Sequence, residues 1–293
     1  MQQPPVENLS AEAQRRWNRG QVVKWTVYGL LLLNFFYYFF QEWYIASHTL
    51  ARGGTLLQWM EEFSTTIDEL GWFGLLFAFE LETYQLSDQT LKRRKVRWSV
   101  HGIRLLCYLM LAHTVFARVS TVQDFEAVQA AENVQNLCQL VGQEVYFGEN
   151  YEYQLVTTEN CEALAEGNEF WFTEPGVITD ADGYALQKKL VWVDLNDAIM
   201  WILVVWAIEL AVWLQNRGIT GGRLMLVSHG AKVIYAVLWA HAAWWAYIGQ
   251  WVWAWDEALW IAGFWAIEKN MSEWRDEIRQ GAQTDTRPAS AAD

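Results

Sequence analysis

Four of the five histidines in this 293-residue chain fall into two matching segments, "HGIRLLCYLMLAH" at residues 101–113 and "HGAKVIYAVLWAH" at 229–241. Each reads His-Gly-x-basic, seven mostly apolar residues, then Ala-His. Imidazole titrates near neutrality, carries protons and ligates metals, so a histidine at either end of an apolar run is a chemical signal. A carboxylate precedes each copy. Ala78-Phe79-Glu80-Leu81 and Ala207-Ile208-Glu209-Leu210 place their alanines 23 and 22 residues before the respective His-Gly. The whole pattern reads as a duplicated helix hairpin whose cations are Arg104 and Lys232.

Two chemistries use such a set. In the first, the groups carry or gate protons or small cations. A lone charge in hydrocarbon costs about 3 kcal/mol on the lenient insertion scale, and pairing relieves that cost. Glu80 is therefore expected to meet Arg104, and Glu209 to meet Lys232, as a buried charge layer around which His101, His113, His229 and His241 titrate. In the second, the same histidines ligate haem b, His101 opposite His229 and His113 opposite His241. Gly102, Ala112, Gly230 and Ala240 would leave room for the rings, and Arg104 and Lys232 would take propionates. This arrangement resembles membrane b-type cytochromes and ferric-reductase-like domains, in which two helices each supply two histidines. The resemblance covers these two segments and implies transmembrane electron transfer.

The spacing separates the two. Twelve residues of α-helix turn about 1200°, which leaves the second histidine about 120° around the helix from the first. One ligand face cannot hold both unless each helix bulges or kinks. Proton- or cation-linked transport is the favoured function, with no cofactor favoured. The sequence contains no G-x-x-x-x-G-K-[ST], H-E-x-x-H, C-x-x-C or G-x-S-x-G, so nothing in it points to an enzyme. A third reading is a membrane scaffold, in which the charge pairs only join helices and an outer domain binds a partner.

The elements that must hold these residues follow from hydropathy. The chain is 53% hydrophobic and 16% aromatic, too apolar for an ordinary soluble domain. Apolar blocks occur at about 22–45, 70–86, 98–118, 196–215, 224–247 and 251–268, the last containing Asp256 and Glu257. Blocks near 20 residues fit the bilayer core. The expected fold is an all-α polytopic membrane protein of six transmembrane helices, or five without the last, with a small α+β extracytoplasmic domain between spans 3 and 4. Residues 1–21 are then a cytoplasmic segment, 22–118 spans 1–3, 119–193 the outer domain, 194–268 spans 4–6 and 269–293 a cytoplasmic tail. Basic residues set the orientation. Arg15, Arg16 and Arg19, then Lys92 to Lys95 with Arg97, then Arg217 and Arg223, and finally Lys269, Arg275 and Arg279 all fall inside a plasma (inner) membrane if the N-terminus is cytoplasmic.

Residues 119–193 carry 13 acidic side chains against Lys188 and Lys189, and supply most of the net charge of −13. That balance excludes nucleic acid as a partner. It leaves the bilayer, a protein partner or a second copy through 119–193. Cys138 and Cys161 could pair in an oxidising compartment. The segment begins with a helix-like stretch, "VQDFEAVQAAENVQNLCQLV", followed by strand-like "EVYFG", "YEYQLVT", "EFWF" and "KLVWVD". "TLLQWMEEF" at 55–63 reads as an amphipathic surface helix, and "TDADGY" at 179–184 as a turn.

Overall fold

The structure, a computed structural model, describes residues 6–51, 53–81, 93–165, 167–217 and 222–264. In chain order it contains α1 (Val6–Thr49), α2 (Leu56–Glu62), α3 (Ser64–Glu80), α4 (Arg94–Glu126) and a short 3₁₀ turn (Leu137–Leu140). Strands β1 (Tyr146–Glu149), β2 (Glu152–Leu155), β3 (Phe170–Glu174) and β4 (Val177–Asp180) follow, then α5 (Ala181–Asn216), α6 (Arg223–Tyr247) and a last helix, α7, at 251–264. The chain divides into two compact units, Phe35–Ala231 and Met1–Asn34 with Lys232–Asp293.

The six-span all-α expectation is overturned, and the five-span alternative with it. Among the described residues two helices are long and apolar enough to cross a membrane: α4, and α5 over Ala181–Ala211, with mean hydropathies of 1.5 and 1.7. The other apolar blocks fall short for separate reasons. α3 has 17 residues. α1 sets Lys24, Asn34, Gln41 and Glu42 among its aromatic residues, and α6 carries Ser228, His229, Lys232 and His241. Tryptophan and tyrosine made these blocks look continuous, yet both carry polar atoms that hydrocarbon does not satisfy. On α4 and α5, Leu105, Leu106, Leu109, Phe116, Ile199 and Trp206 are exposed. Apolar faces of that extent suit a hydrocarbon surround.

In the larger unit, α3 and α4 approach through small residues. A Cβ on Gly71 would lie 3.0 Å from Leu111 Cδ2 and 3.3 Å from the Cys107 carbonyl, and one on Gly74 would collide with Cys107 Sγ. Glycines one turn apart therefore let two helices meet backbone to side chain, as membrane helices do. On another face α4 packs Val122 and Phe125 against Val191 and Leu195 of α5, with Val115, Val119 and Tyr184 alongside.

Between α4 and α5 the chain forms a four-stranded mixed sheet in the order β2-β1-β4-β3. β1 pairs parallel with β4, while β1–β2 and β3–β4 are antiparallel. Its core is Leu137, Leu140, Val145, Phe147, Val156, Cys161, Phe170 and Ile178. A disulfide joins Cys138 to Cys161. Two segments depart from the sequence reading. "VQDFEAVQAAENVQNLCQLV" is helical only to Glu126, after which turns lead to the 3₁₀ element, and "KLVWVD" is helix within α5 rather than strand. Val191 and Leu195 recur at helical spacing toward α4, and that periodicity outweighs the local alternation. "TDADGY" begins α5: the Asp180 carboxylate accepts the Gly183 amide at 2.9 Å and caps the helix.

The smaller unit holds a buried hydrogen bond from Asn34 Nδ2 to Asp256 Oδ1 at 2.7 Å, with Glu257 buried beside it in sequence on α7. Trp245 of α6 meets Trp253 of α7 edge to face, with ring centroids 4.9 Å apart. Gly249, at φ 86°, makes the turn between those helices.

Gly71→Val should lower the stability of the α3–α4 contact by about 1–3 kcal/mol, because the Cys107 carbonyl cannot move aside. Gly102→Ala, where a Cβ meets nothing within 4 Å, should be neutral or stabilising. Thermal unfolding of both variants in the same detergent checks the contrast.

Candidate functional site

The site assembles at the end of α4 that faces the sheet. Arg118 lies near that end of a membrane-length helix, where its guanidinium cannot remain unpaired without a large desolvation cost. Its Nη1 lies 3.8 Å from Asp194 Oδ2 of α5. Its Nη2 donates to Thr65 Oγ1 of α3 at 3.0 Å. The phenol of Tyr151, at the tip of the β1–β2 hairpin, donates to the same Asp194 oxygen at 3.2 Å. One cation thus gathers two helices, and its carboxylate partner gathers the hairpin.

Glu42 of α1 completes this layer by an unusual route. Phe63, the residue before α3, offers no side-chain cap. The Glu42 carboxylate instead accepts the Thr65 amide at 2.7 Å and the Thr66 amide at 3.0 Å, so a distant residue caps the positive end of α3. One turn on, Trp72 Nε1 donates to Asp68 Oδ2 at 3.0 Å. Glu42, Asp68 and Asp194 all lie within the electrostatic reach of Arg118. The layer holds more carboxylates than compensating cations among the described groups.

Farther toward the sheet, Thr49 Oγ1 donates to Glu62 Oε1 at 2.9 Å. Tyr153 stacks on His48 at 4.9 Å, and Tyr146 meets the same imidazole edge-on at 4.7 Å. His48 Nδ1 lies 2.8 Å from the Tyr44 carbonyl. Burial pushes the Glu62 carboxyl up, and the charge of Glu42 adds to it. Burial, with Glu62 next in effect, pushes Glu174 of β3 up to about 7. Burial and the adjacent Asp194 push the Tyr151 phenol well above its ordinary value, so it stays a hydrogen-bond donor.

At the other end of the same two helices, Arg104 Nη2 lies 4.0 Å from Glu209 Oε1, and Tyr108 donates to that oxygen at 2.6 Å. Arg104 therefore reaches the glutamate of the second hairpin copy. Glu80 ends α3, with its side chain outside the described residues, and Lys232 is exposed on α6. His101 and His229 are exposed. His113 is partly buried, and neither of its ring nitrogens has a hydrogen-bond partner among the described residues. His241 is partly buried on α6. α4 runs without a bulge from Arg94 to Glu126, so its twelve-residue step is not corrected and His101 and His113 present to different faces. That geometry does not suit two axial ligands on one helix face. Among the described residues, no group of three or more His, Cys, Asp or Glu side chains is placed to hold a metal ion.

Sequence reasoning passed over Arg118, Glu42, Asp68, Asp194 and Tyr151. Arg118 is the last residue of the apolar block at 98–118, and Glu42 lies inside the block at 22–45 that reads as continuous. A charge inside an apolar block was the available signal for both.

A carboxyl raised on folding contributes stability that is fully present below its ordinary pKa and is lost as pH rises through the folded value. The sheet module should therefore unfold at lower temperature as pH rises from 4.5 through about 7, the value burial imposes on Glu174. Glu174→Gln should flatten that slope and unfold at a higher temperature than the parent at pH 8. Calorimetric scans across this range decide it.

No protein-family model matches this chain, and neither a curated protein nor a solved structure is similar to it.

Proposed function

We propose that this is an integral membrane protein, crossing the bilayer with α4 and α5, in which protons or small cations exchange along the seam between those helices. One observation carries the reading. Acid–base layers occupy both ends of the same helix pair, Arg104–Tyr108–Glu209 at one and Arg118–Asp194–Tyr151 at the other. Fourteen residues separate the two arginines, about 21 Å of helix and within about 40° of one face. A purely structural seam could use small or hydroxyl residues at lower desolvation cost. Intramembrane ionisable groups are functional candidates for that reason.

The chemistry follows from the geometry. Asp194 accepts from Tyr151 and faces Arg118, so protonating it removes the charge that holds the guanidinium. Arg118 then has Glu42 and Asp68 within electrostatic reach. A proton, or a cation taking its place, can therefore be traded for a shift of Arg118 among three carboxylates. Because α4 leads into the sheet module and α5 leads out of it, the module lies on one side of the bilayer in this topology.

The test is flux through the purified protein in proteoliposomes, read with an internal pH dye and with potassium or sodium gradients. Asp194→Asn and Glu209→Gln should each reduce flux toward the protein-free background, while Glu159→Gln, an exposed site on the module, should leave it intact. Unchanged flux in both seam variants would make the two layers structural.

A further inference from the structure

The β1–β2 hairpin closes with a two-residue turn, Asn150–Tyr151, between the paired residues Glu149 and Glu152. Both turn residues have positive φ, 49° and 66°. Two-residue hairpins of this hand prefer Asn-Gly, because a Cβ at positive φ crowds its own backbone. Asparagine fits the first position, but a tyrosine in the second is strained. The strand pairing, Tyr146 with Leu155 through Glu149 with Glu152, places no demand for an aromatic residue at the tip. The demand comes from another element: the Tyr151 hydroxyl donates to Asp194 Oδ2, the oxygen that also faces Arg118. A backbone outlier bound through its side chain to a distant buried charge is the kind of strain that functional sites retain.

We propose that this hairpin is a strained latch, in which Tyr151 covers the Arg118–Asp194 pair and loss of its hydrogen bond lets the turn relax and admits water to that pair. The two opposing effects are of similar size, a hydrogen bond to a charged acceptor against one unfavourable φ. Relief of the turn therefore offsets part of the cost of breaking that bond, and the module's core, among Phe147, Val156, Phe170 and Ile178, does not include the tip. Opening leaves the layer otherwise intact. Arg118 still has Asp194 and Thr65, and Glu42 still caps α3. The latch as a gate for ion flux rests on the transport reading above, whereas the opening itself does not.

Carboxyl footprinting tests it on the full chain in nanodiscs, using a water-soluble carbodiimide with glycine ethyl ester and mass spectrometry at Asp194. Exposed Glu159 serves as the internal control. In Tyr151→Phe, Asp194 should label about tenfold faster, the population change that losing a charge-assisted hydrogen bond brings, with Glu159 unchanged. Tyr151→Gly should expose Asp194 as well while relieving the turn. Amide exchange across residues 146–155 then separates strain from simple tethering. With stored strain, the phenylalanine variant exchanges faster than the glycine variant. The reverse order overturns the strain, and Asp194 labelling at the parental rate in both variants overturns the latch. Opened Asp194 in a protein that conducts nothing supports the latch and sinks the transport reading, so the two failures are distinguishable.

Discussion

The pairing of Arg118 with Asp194 is the constraint on which the larger unit depends. A guanidinium near the end of a membrane-length helix needs hydrogen-bonding partners wherever water is scarce. Those partners come from α5 and α3, and through Asp194 from the β1–β2 hairpin. Removing one partner of such a pair leaves an uncompensated buried charge, typically at a cost of about 3–5 kcal/mol. Three elements that are remote in sequence are thereby held to one point on α4. The sheet module is not merely hung between two helices, since its hairpin tip is part of the polar layer at their ends.

A second pair fixes the same helices at the other end. The arginines lie 14 residues apart on α4 and their carboxylates 15 apart on α5, so one antiparallel register satisfies both. The environments differ. Arg118 and Asp194 side chains are 21% and 9% exposed, against 30% and 46% for Arg104 and Glu209. Coulombic attraction strengthens as water is excluded, so the sheet-side pair sets the geometry and the other pair follows it. Between the two pairs Val115 lies on the face of α4 that packs against α5, while Leu111 and Cys107 on another face meet Gly71 and Gly74 of α3.

The duplicated motif was legible because it is local. Glu209 and Arg104 could both be chosen from charge inside apolar sequence, although their pairing across the two copies could not. Partners such as Thr65 for Arg118 and Tyr151 for Asp194 lie 53 and 43 residues apart, and no periodicity reports such distances. Membrane spans were overcounted for a different reason. Length and aromatic content suggest hydrocarbon solubility in α1 and α6, where Asn34, Glu42, His229 and Lys232 interrupt the run. In the module, alternation in "KLVWVD" matched a strand locally, and burial of Val191 and Leu195 against α4 decided for helix. The Asn-Tyr turn carried a visible signal: an aromatic residue stands where a two-residue hairpin favours glycine.

Glu42 and Tyr151 share a logic that bears on how the layer could act. Each satisfies or strains backbone in an element distant from it, Glu42 by capping α3 and Tyr151 by holding its turn at positive φ. Secondary structure normally stabilises itself locally, through caps and turn residues close in sequence. Here those local terms have been handed to a buried charge layer, so a change of charge at Glu42 acts on the start of α3, one at Asp194 acts on the hairpin, and Arg118 feels both. Coupling of that kind needs no long pathway of contacts. It needs an element with two arrangements whose balance the charge state biases, the role proposed for the hairpin tip, whose turn is unfavourable and whose Tyr151 hydroxyl binds Asp194.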